Sequence, residues 1–168
     1  MRLLALDIST NPGFAVLDVK QLKNRVKLTL VHVSSLRTST ENTDGQRYAY
    51  IEAATTMIAH EYGPFDKIVR EHFTKGRDKR ATQTVFGAWS AIDMALSKYS
   101  YKVDIEITPS AVKKLVTEDG SADKKKVEEH VRQWLSIDDD FVFKWDDQSD
   151  ACAIGLAYLI REGIITKK

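Results

Sequence analysis

A chain of 168 residues with 43% hydrophobic and 29% charged residues is long enough to bury one ordinary core and too apolar to be read as disordered. Its formal net charge of +1 excludes a generally basic nucleic-acid binder, so any affinity for phosphate has to come from local patches. The single cysteine, Cys152, excludes an internal disulfide and suits a reducing compartment. No apolar run approaches a membrane span, and "MRLLALDIST" is too soon charged for a signal peptide. The expectation is a soluble cytoplasmic protein with one domain over residues 1–168.

Strand-like runs come first: 3–8, 14–19 and 26–34, the last alternating as "VKLTLVHVS" with the period of a half-buried strand. Polar "KQLKN" reads as the hairpin between the second and third, and polar "SLRTSTENTDG" as a loop. Residues 46–61 place Tyr50, Ala53, Ala54, Met57 and Ile58 at helical spacing, ended by "YGPF". A short strand, "DKIVRE", closes on Glu71 and opens into the basic connection "HFTKGRDKRAT". A second helix is expected over 83–98 and a fifth strand over "VDIEI". In "TPSAVKKLV", Thr108 is suited to an N-cap and Pro109 to the first helical position. A further helix follows from about Ala122 to Leu135, with Val127, Val131 and Trp134 inward, and a last one over 150–161, where Cys152 reads as packing. The order β-β-β-α-β-α-β-α-α-α describes an α/β domain in which an antiparallel meander feeds a partly parallel sheet.

In such sheets a site forms beyond the carboxyl ends of adjacent strands. Asp7 ends the first strand and Glu71 the fourth, so the topology brings them together. Asp147 and Asp150 lie three apart at the start of the last helix and share a face if the helix begins by Asp147. Each acid also has a plainer reading: a turn Asp before Ser-Thr-Asn-Pro-Gly, a solvated strand end, or a cap and first-turn acid complementing the helix dipole. Together they crowd four like charges, which raise one another's pKa unless a cation intervenes. Hard oxygen ligands favour Mg²⁺ or Mn²⁺. Two such ions about 4 Å apart activate a water and stabilise the leaving oxygen in an in-line attack on phosphate.

The blocks "LALDISTNPGFAVL", "IVREHF" with "VFGAWSAI", "TPSAVKKLVTEDGSADKKKVEEHVRQWL" and "DDQSDACAIGLAYL" are similar, in order and over nearly the whole chain, to the RuvC-type Holliday junction resolvases. The resemblance implies an RNase H-like fold, with a five-stranded mixed sheet flanked by helices. It implies a metal-dependent endonuclease that resolves four-way junctions, with a range that can extend to other branched DNA, as a homodimer with two Mg²⁺ or Mn²⁺ per site. The family's metal-binding carboxylates fall on Asp7, Glu71, Asp147 and Asp150. Its functional lysines fall on Lys113 and Lys124, the latter counted with the catalytic set. Phe73 loosely matches the family's aromatic after the catalytic Glu. Residues 36–45 and "TKGRDKRA" depart from the cellular bacterial pattern and look like the phage-encoded branch.

Lys75, Arg77, Lys79 and Arg80 around the exit of the fourth strand, and Lys124, Lys125 and Lys126 at a helix start, are the local basic patches a phosphate-tracking protein needs. Read alone, each is a solvated charge run. Phe73 is either a base-stacking platform or core, and the helix carrying Trp89 is core on one face and a candidate dimer contact on the other. Three other readings remain: a nuclease of RNA–DNA hybrids, a non-catalytic branched-DNA binder, and a nucleotide-binding fragment of actin/hexokinase type suggested by "DISTNPGFAV". The last requires a second phosphate-binding hairpin that the sequence lacks. No small-molecule cofactor and no membrane partner are expected.

Overall fold

The computed structural model describes residues 1–166 except Asn24, Thr74, Lys75, Arg77 and Asp139; Lys167 and Lys168 are likewise not described. The strands are β1 (Arg2–Asp7), β2 (Gly13–Gln21), β3 (Val26–Ser35), β4 (Lys67–Glu71) and β5 (Ile105–Ile107). The helices are α1 (Asp44–Tyr62), α2 (Lys79–Ser97), α3 (Pro109–Thr117), α4 (Lys124–Leu135) and α5 (Asp146–Arg161). They form one five-stranded sheet in the order β3-β2-β1-β4-β5. The β1–β2–β3 meander is antiparallel, whereas β4 and β5 run parallel to β1. This is the mixed sheet flanked by helices that the sequence predicts. Among the described residues no helix is long and apolar enough to cross a membrane.

Central position explains the sequence of β1. Its side chains alternate between two buried layers: Leu3 and Ala5 join Ala15, Leu17 and Val69 in one core, while Leu4 and Leu6 join Phe14, Val16 and Ile68 in the other. The first core is closed by α3, α4 and α5, the second by α1 and α2. α5 is apolar nearly all round, with every residue from Gln148 to Leu159 except Asp150 buried, because it lies between the sheet and the α3–α4 pair. Helix and sheet approach closely at Gly155. A Cβ there would stand 2.8 Å from a Leu17 methyl and 3.2 Å from Ala5 Cβ.

Several boundaries differ from the sequence expectation, each for a local reason. α2 begins at Lys79 and not at 83, since the Asp78 carboxylate accepts from Ala81 N at 2.8 Å and caps the helix four residues earlier. Lys79 and Arg80 thus belong to a helical first turn and not to the connection. α4 likewise starts at Lys124 under an Asp123 cap, which accepts from Lys126 N at 2.8 Å. Thr108 holds the N-cap position of α3 without a side-chain cap bond, with Pro109 behind it as expected. β5 is only three residues long. α5 begins at Asp146, four residues before the expected start, with Trp145 at its N-cap and Asp146 and Asp147 in its first turn, where the helix dipole favours acids.

The Gly155 contact yields a stability prediction. Gly155→Val forces side-chain branches against Leu17 and Ala5 and should destabilise the fold by about 1–3 kcal/mol. A urea-unfolding midpoint equal to that of the wild type would show that α5 and the sheet have slack there.

Candidate active site

Strand parity sets the first two acids. Leu3, Ala5 and Asp7 share the face of β1 that packs on α5, and Val69 and Glu71 share the same face of β4. The parallel register pairs Leu6 with Arg70, which leaves Asp7 and Glu71 as neighbours at the ends of adjacent strands. Burial, followed by the charges of Glu71, Asp150 and Asp147, pushes the Asp7 carboxyl well above its ordinary range. Burial and the Asp150 charge raise Glu71 to about 7, against which Lys113 and Lys124 pull it down. Asp150 is also raised, by burial first, with Lys124 opposing. Asp7 thus lies within reach of the charges of Glu71, Asp147 and Asp150, and Glu71 within reach of that of Asp150.

α5 delivers its two acids because Gly13 lets it. Gly13 pairs with Asp7 in the β1–β2 ladder, and a Cβ on it would lie 1.9 Å from the Asp147 carbonyl oxygen. Only glycine allows the first turn of α5 to come this close to the start of β2. On the other side, Lys124 Nζ at the start of α4 stands 3.2 Å from Asp146 and 3.4 Å from Asp150. Burial pulls the Lys124 pKa down, but Asp150 and Asp146 together outweigh it and leave the ammonium more basic than usual. Glu71, Lys113, Lys124 and Asp150 line a small cavity of about 90 Å³. A larger open groove at the far ends of β2 and β3, lined by Gln21, Arg25, Val26, Gln133 and Ile165 among others, holds none of the candidate residues.

The opposite face of β4 carries a network that sequence reasoning missed. Arg70, buried beneath the strand end, donates from Nε and Nη2 to Glu106 Oε1 at 3.0 and 2.6 Å and from Nη1 to Asp93 at 2.9 Å. Its guanidinium lies 3.8 Å from the centre of the Trp89 ring. His72 Nδ1 meets Glu106 Oε2 at 2.6 Å. Burial would raise Glu106, but the bonds from His72 and Arg70 outweigh it and hold the carboxylate below its ordinary range. The residues on either side of Glu71 are thus tied to β5 and α2. An isolated "VREH" offers no signal of this, because the hydrogen-bond partners are 23 to 36 residues away.

The remaining predicted contacts are more scattered. Lys75 and Arg77 lie outside the described residues. Lys79 is exposed in the first turn of α2, and Arg80 pairs with Asp44 of α1 at 2.7 Å. Lys126 bonds Asp119 at 2.9 Å, in the turn before its own helix. Phe73 packs edge-on against Phe86, which in turn packs on Trp89. Cys152 is fully buried, where the apolar surroundings raise its thiol pKa, consistent with packing. The site also holds a group the sequence did not suggest: Arg37, whose Nη2 is 2.5 Å from Asp147 Oδ2.

The pattern of the family described as "Crossover junction endodeoxyribonuclease RuvC" matches residues 6–158, from just before Asp7 to beyond Asp150. The chain belongs to the RuvC family. A relative from Leifsonia xyli subsp. xyli, named crossover junction endodeoxyribonuclease RuvC, is 29% identical over 98% of this chain and 76% of its own length. The RuvC structure from Thermus thermophilus superposes with a TM-score of 0.80 at 23% identity, covering 98% of this chain and 96% of that one. The RuvC of the same organism in complex with a Holliday junction substrate gives the same TM-score at 20% identity, with the same coverage. The fold is therefore the RNase H-like fold of RuvC, and the enzyme class is that of the crossover junction endodeoxyribonucleases.

RuvC enzymes depend on divalent metal, and the donor set fits one. The four acids offer only hard oxygen atoms, and three of them, Asp7, Glu71 and Asp150, carry pKa values raised first by burial and then by neighbouring carboxylates, which a cation would offset. Among the described residues no three such side chains have closed into a metal-holding cluster. Asp147 and Asp150 are instead engaged by Arg37 and Lys124. Gly13→Ala, which pushes the first turn of α5 off β2, should cut DNA cleavage by about 10²-fold, the effect of displacing a reacting group by an ångström. Cleavage at the wild-type rate would show that the position of Asp147 is not set by this contact.

Proposed function

We propose that this protein resolves four-way DNA junctions as a homodimer, with each site using Asp7, Glu71, Asp147 and Asp150 to hold two Mg²⁺ or Mn²⁺ ions. The observation that carries this reading is the convergence of four carboxylates from β1, β4 and α5 beside Lys113 and Lys124, in a chain of the RuvC family. When bound, the ions supply the charge that activates a water and stabilises the leaving oxygen in an in-line attack on a phosphodiester, leaving 5′-phosphate and 3′-hydroxyl ends.

The chain's own residues do the rest. Asp7 and Glu71, fixed on strand ends, provide rigid ligands, and Gly13 sets the depth of the α5 pair. Lys124 and Lys113 flank Glu71 and Asp150, where their charge offsets the repulsion between an acidic site and the DNA backbone. Lys79, and Arg80 beside it, extend basic charge along the first turn of α2, and Lys75, Arg77 and Lys126 complete the set of DNA contacts in this reading. Phe73, with Phe86 at its edge, offers an aromatic surface two residues along the chain from Glu71. Support for the homodimer comes from the α1–α2 layer, whose outer side exposes Tyr50, Met57, Phe86 and Met94. A junction with two-fold symmetry matches a two-fold dimer with two sites.

Two experiments test the reading. Asp150→Asn keeps the side-chain shape and removes a charge, so cleavage of a labelled four-way junction should fall by orders of magnitude. Junction binding and melting temperature should hold or rise, because phosphate repulsion and carboxylate crowding both decrease. Cutting at near the wild-type rate would return Asp150 to a role at the helix start. Separately, Mg²⁺ or Mn²⁺ should support cleavage, whereas Ca²⁺, with its looser coordination, should permit binding alone. Undiminished cleavage in excess EDTA would remove the metal ions from the mechanism, and a hybrid RNA–DNA duplex that outcompetes the junction would reassign the substrate.

A further inference from the structure

Arg37 is built into the site and does not reach it by chance. It lies in the segment between β3 and α1, which is fastened to the β1–β2 turn on both sides of it. Leu36 N donates to Pro12 O at 3.0 Å, Thr38 N to Asn11 Oδ1 at 2.9 Å, and Thr38 Oγ1 to Thr10 O at 2.8 Å. Arg47 Nε of α1 then donates to Thr38 Oγ1 at 2.9 Å. The side chain is held as firmly. Its guanidinium carbon sits 4.2 Å from the centre of the Trp145 ring at the N-cap of α5, and Nη2 donates to Asp147 Oδ2.

This arrangement leaves most of the guanidinium unused. Of its five N–H donors, the described residues engage those of one nitrogen, on Asp147. The Arg37 side chain is 38% exposed and Trp145, whose ring supports one flat face of the guanidinium, is 51% exposed, so the pair is open in part to solvent. A planar fork with free donors, stacked on an aromatic ring beside a phosphodiester-cleaving site, matches phosphate in shape and charge. Its present partner is also one of the carboxylates that a divalent cation would claim.

We propose that Arg37 is a DNA-phosphate contact that exchanges partners: it neutralises Asp147 in the metal-free protein and, once Asp147 turns to a divalent cation, grips a backbone phosphate beside the one cleaved. Trp145 acts as the positioning residue, keeping the guanidinium plane at the site through the exchange. The inference rests on the functional reading above, and it makes metal loading and backbone binding cooperative.

The test compares the wild type with Arg37→Gln and Arg37→Lys, measuring affinity for a four-way junction against salt concentration in Ca²⁺ and in EDTA, and Mg²⁺ binding to the free protein by calorimetry. With Ca²⁺, Arg37→Gln should bind more weakly and lower the slope of log affinity against log salt by about one. In EDTA, where Arg37 remains on Asp147, variant and wild type should share one slope. Arg37→Lys should restore the slope in Ca²⁺, and Mg²⁺ should bind Arg37→Gln up to about fivefold more tightly, since a competing cation is gone. Equal slopes for all three proteins in Ca²⁺, an equal loss in Ca²⁺ and EDTA, or weaker Mg²⁺ binding by Arg37→Gln would each overturn the exchange. If the wild type shows no preference for a junction over linear duplex, the functional reading fails, and the same slopes measured on linear duplex still decide the role of Arg37.

Discussion

Four carboxylates around one small volume are the constraint on which the rest of this protein depends. Like charges at such spacing resist folding, and the structure answers with geometry and not with distance. Two of the acids sit at strand ends, where backbone pairing in the sheet fixes them regardless of their repulsion. The other two ride on the N-terminal end of α5, Asp147 in its first turn, where the helix dipole favours negative charge, and Asp150 one turn further on. Two cations complete the balance, Lys124 from α4 on one side and Arg37 from the β3–α1 segment on the other. The metal-free state is thus partly neutralised by the chain itself, which lets the site fold before any ion arrives.

The supporting structure follows from this demand. α5 has to present its N-terminus at the ends of the interior strands β1 and β2 while its body is buried, and a run of small and apolar residues from Ala151 to Leu159 makes that possible. Glycines mark two of its close approaches, Gly155 over Ala5 and Leu17, and Gly13 beneath the Asp147 carbonyl. β4 has the complementary task of holding Glu71 still at a half-buried strand end. Arg70 and His72, pointing to the opposite face, anchor it to Glu106, Asp93 and Trp89, so the strand is pinned on both sides of the acid.

What the sequence made legible is what depends on local periodicity. The alternation in β3, the apolar runs of β1 and β2 and the helical spacing of α1 and α4 all report their own burial, and strand order follows from parity once the elements are placed. The four acids were legible as a set because each falls on an element end. Helix starts were less so: Asp78 caps α2 ahead of its apolar stripe, and α5 begins under Trp145, a residue with no capping group. Arg37 and Trp145 were invisible for a different reason. An arginine in a polar loop and a tryptophan before an acidic pair carry no periodic signal. Their meeting, across more than a hundred residues, is decided by the bonds that fasten residues 36–38 to the β1–β2 turn.

That fastening links the two halves of the site in a way the carboxylates alone do not. The turn from Asp7 to Gly13 carries the strand-end acid at one end and the contact that seats α5 at the other, and its middle residues, Thr10, Asn11 and Pro12, hold the segment bearing Arg37. One short turn therefore positions an acid, the depth of a second acid and the cation that neutralises that second acid. The Ser-Thr-Asn-Pro-Gly sequence supplies each function with a suited group: side-chain acceptors and free carbonyls in the middle, and no Cβ where the helix arrives. Because attraction between Arg37 and Asp147 acts across this turn, a change in the charge on Asp147 is felt directly by the segment leading to α1, the layer that carries the exposed apolar side of the molecule.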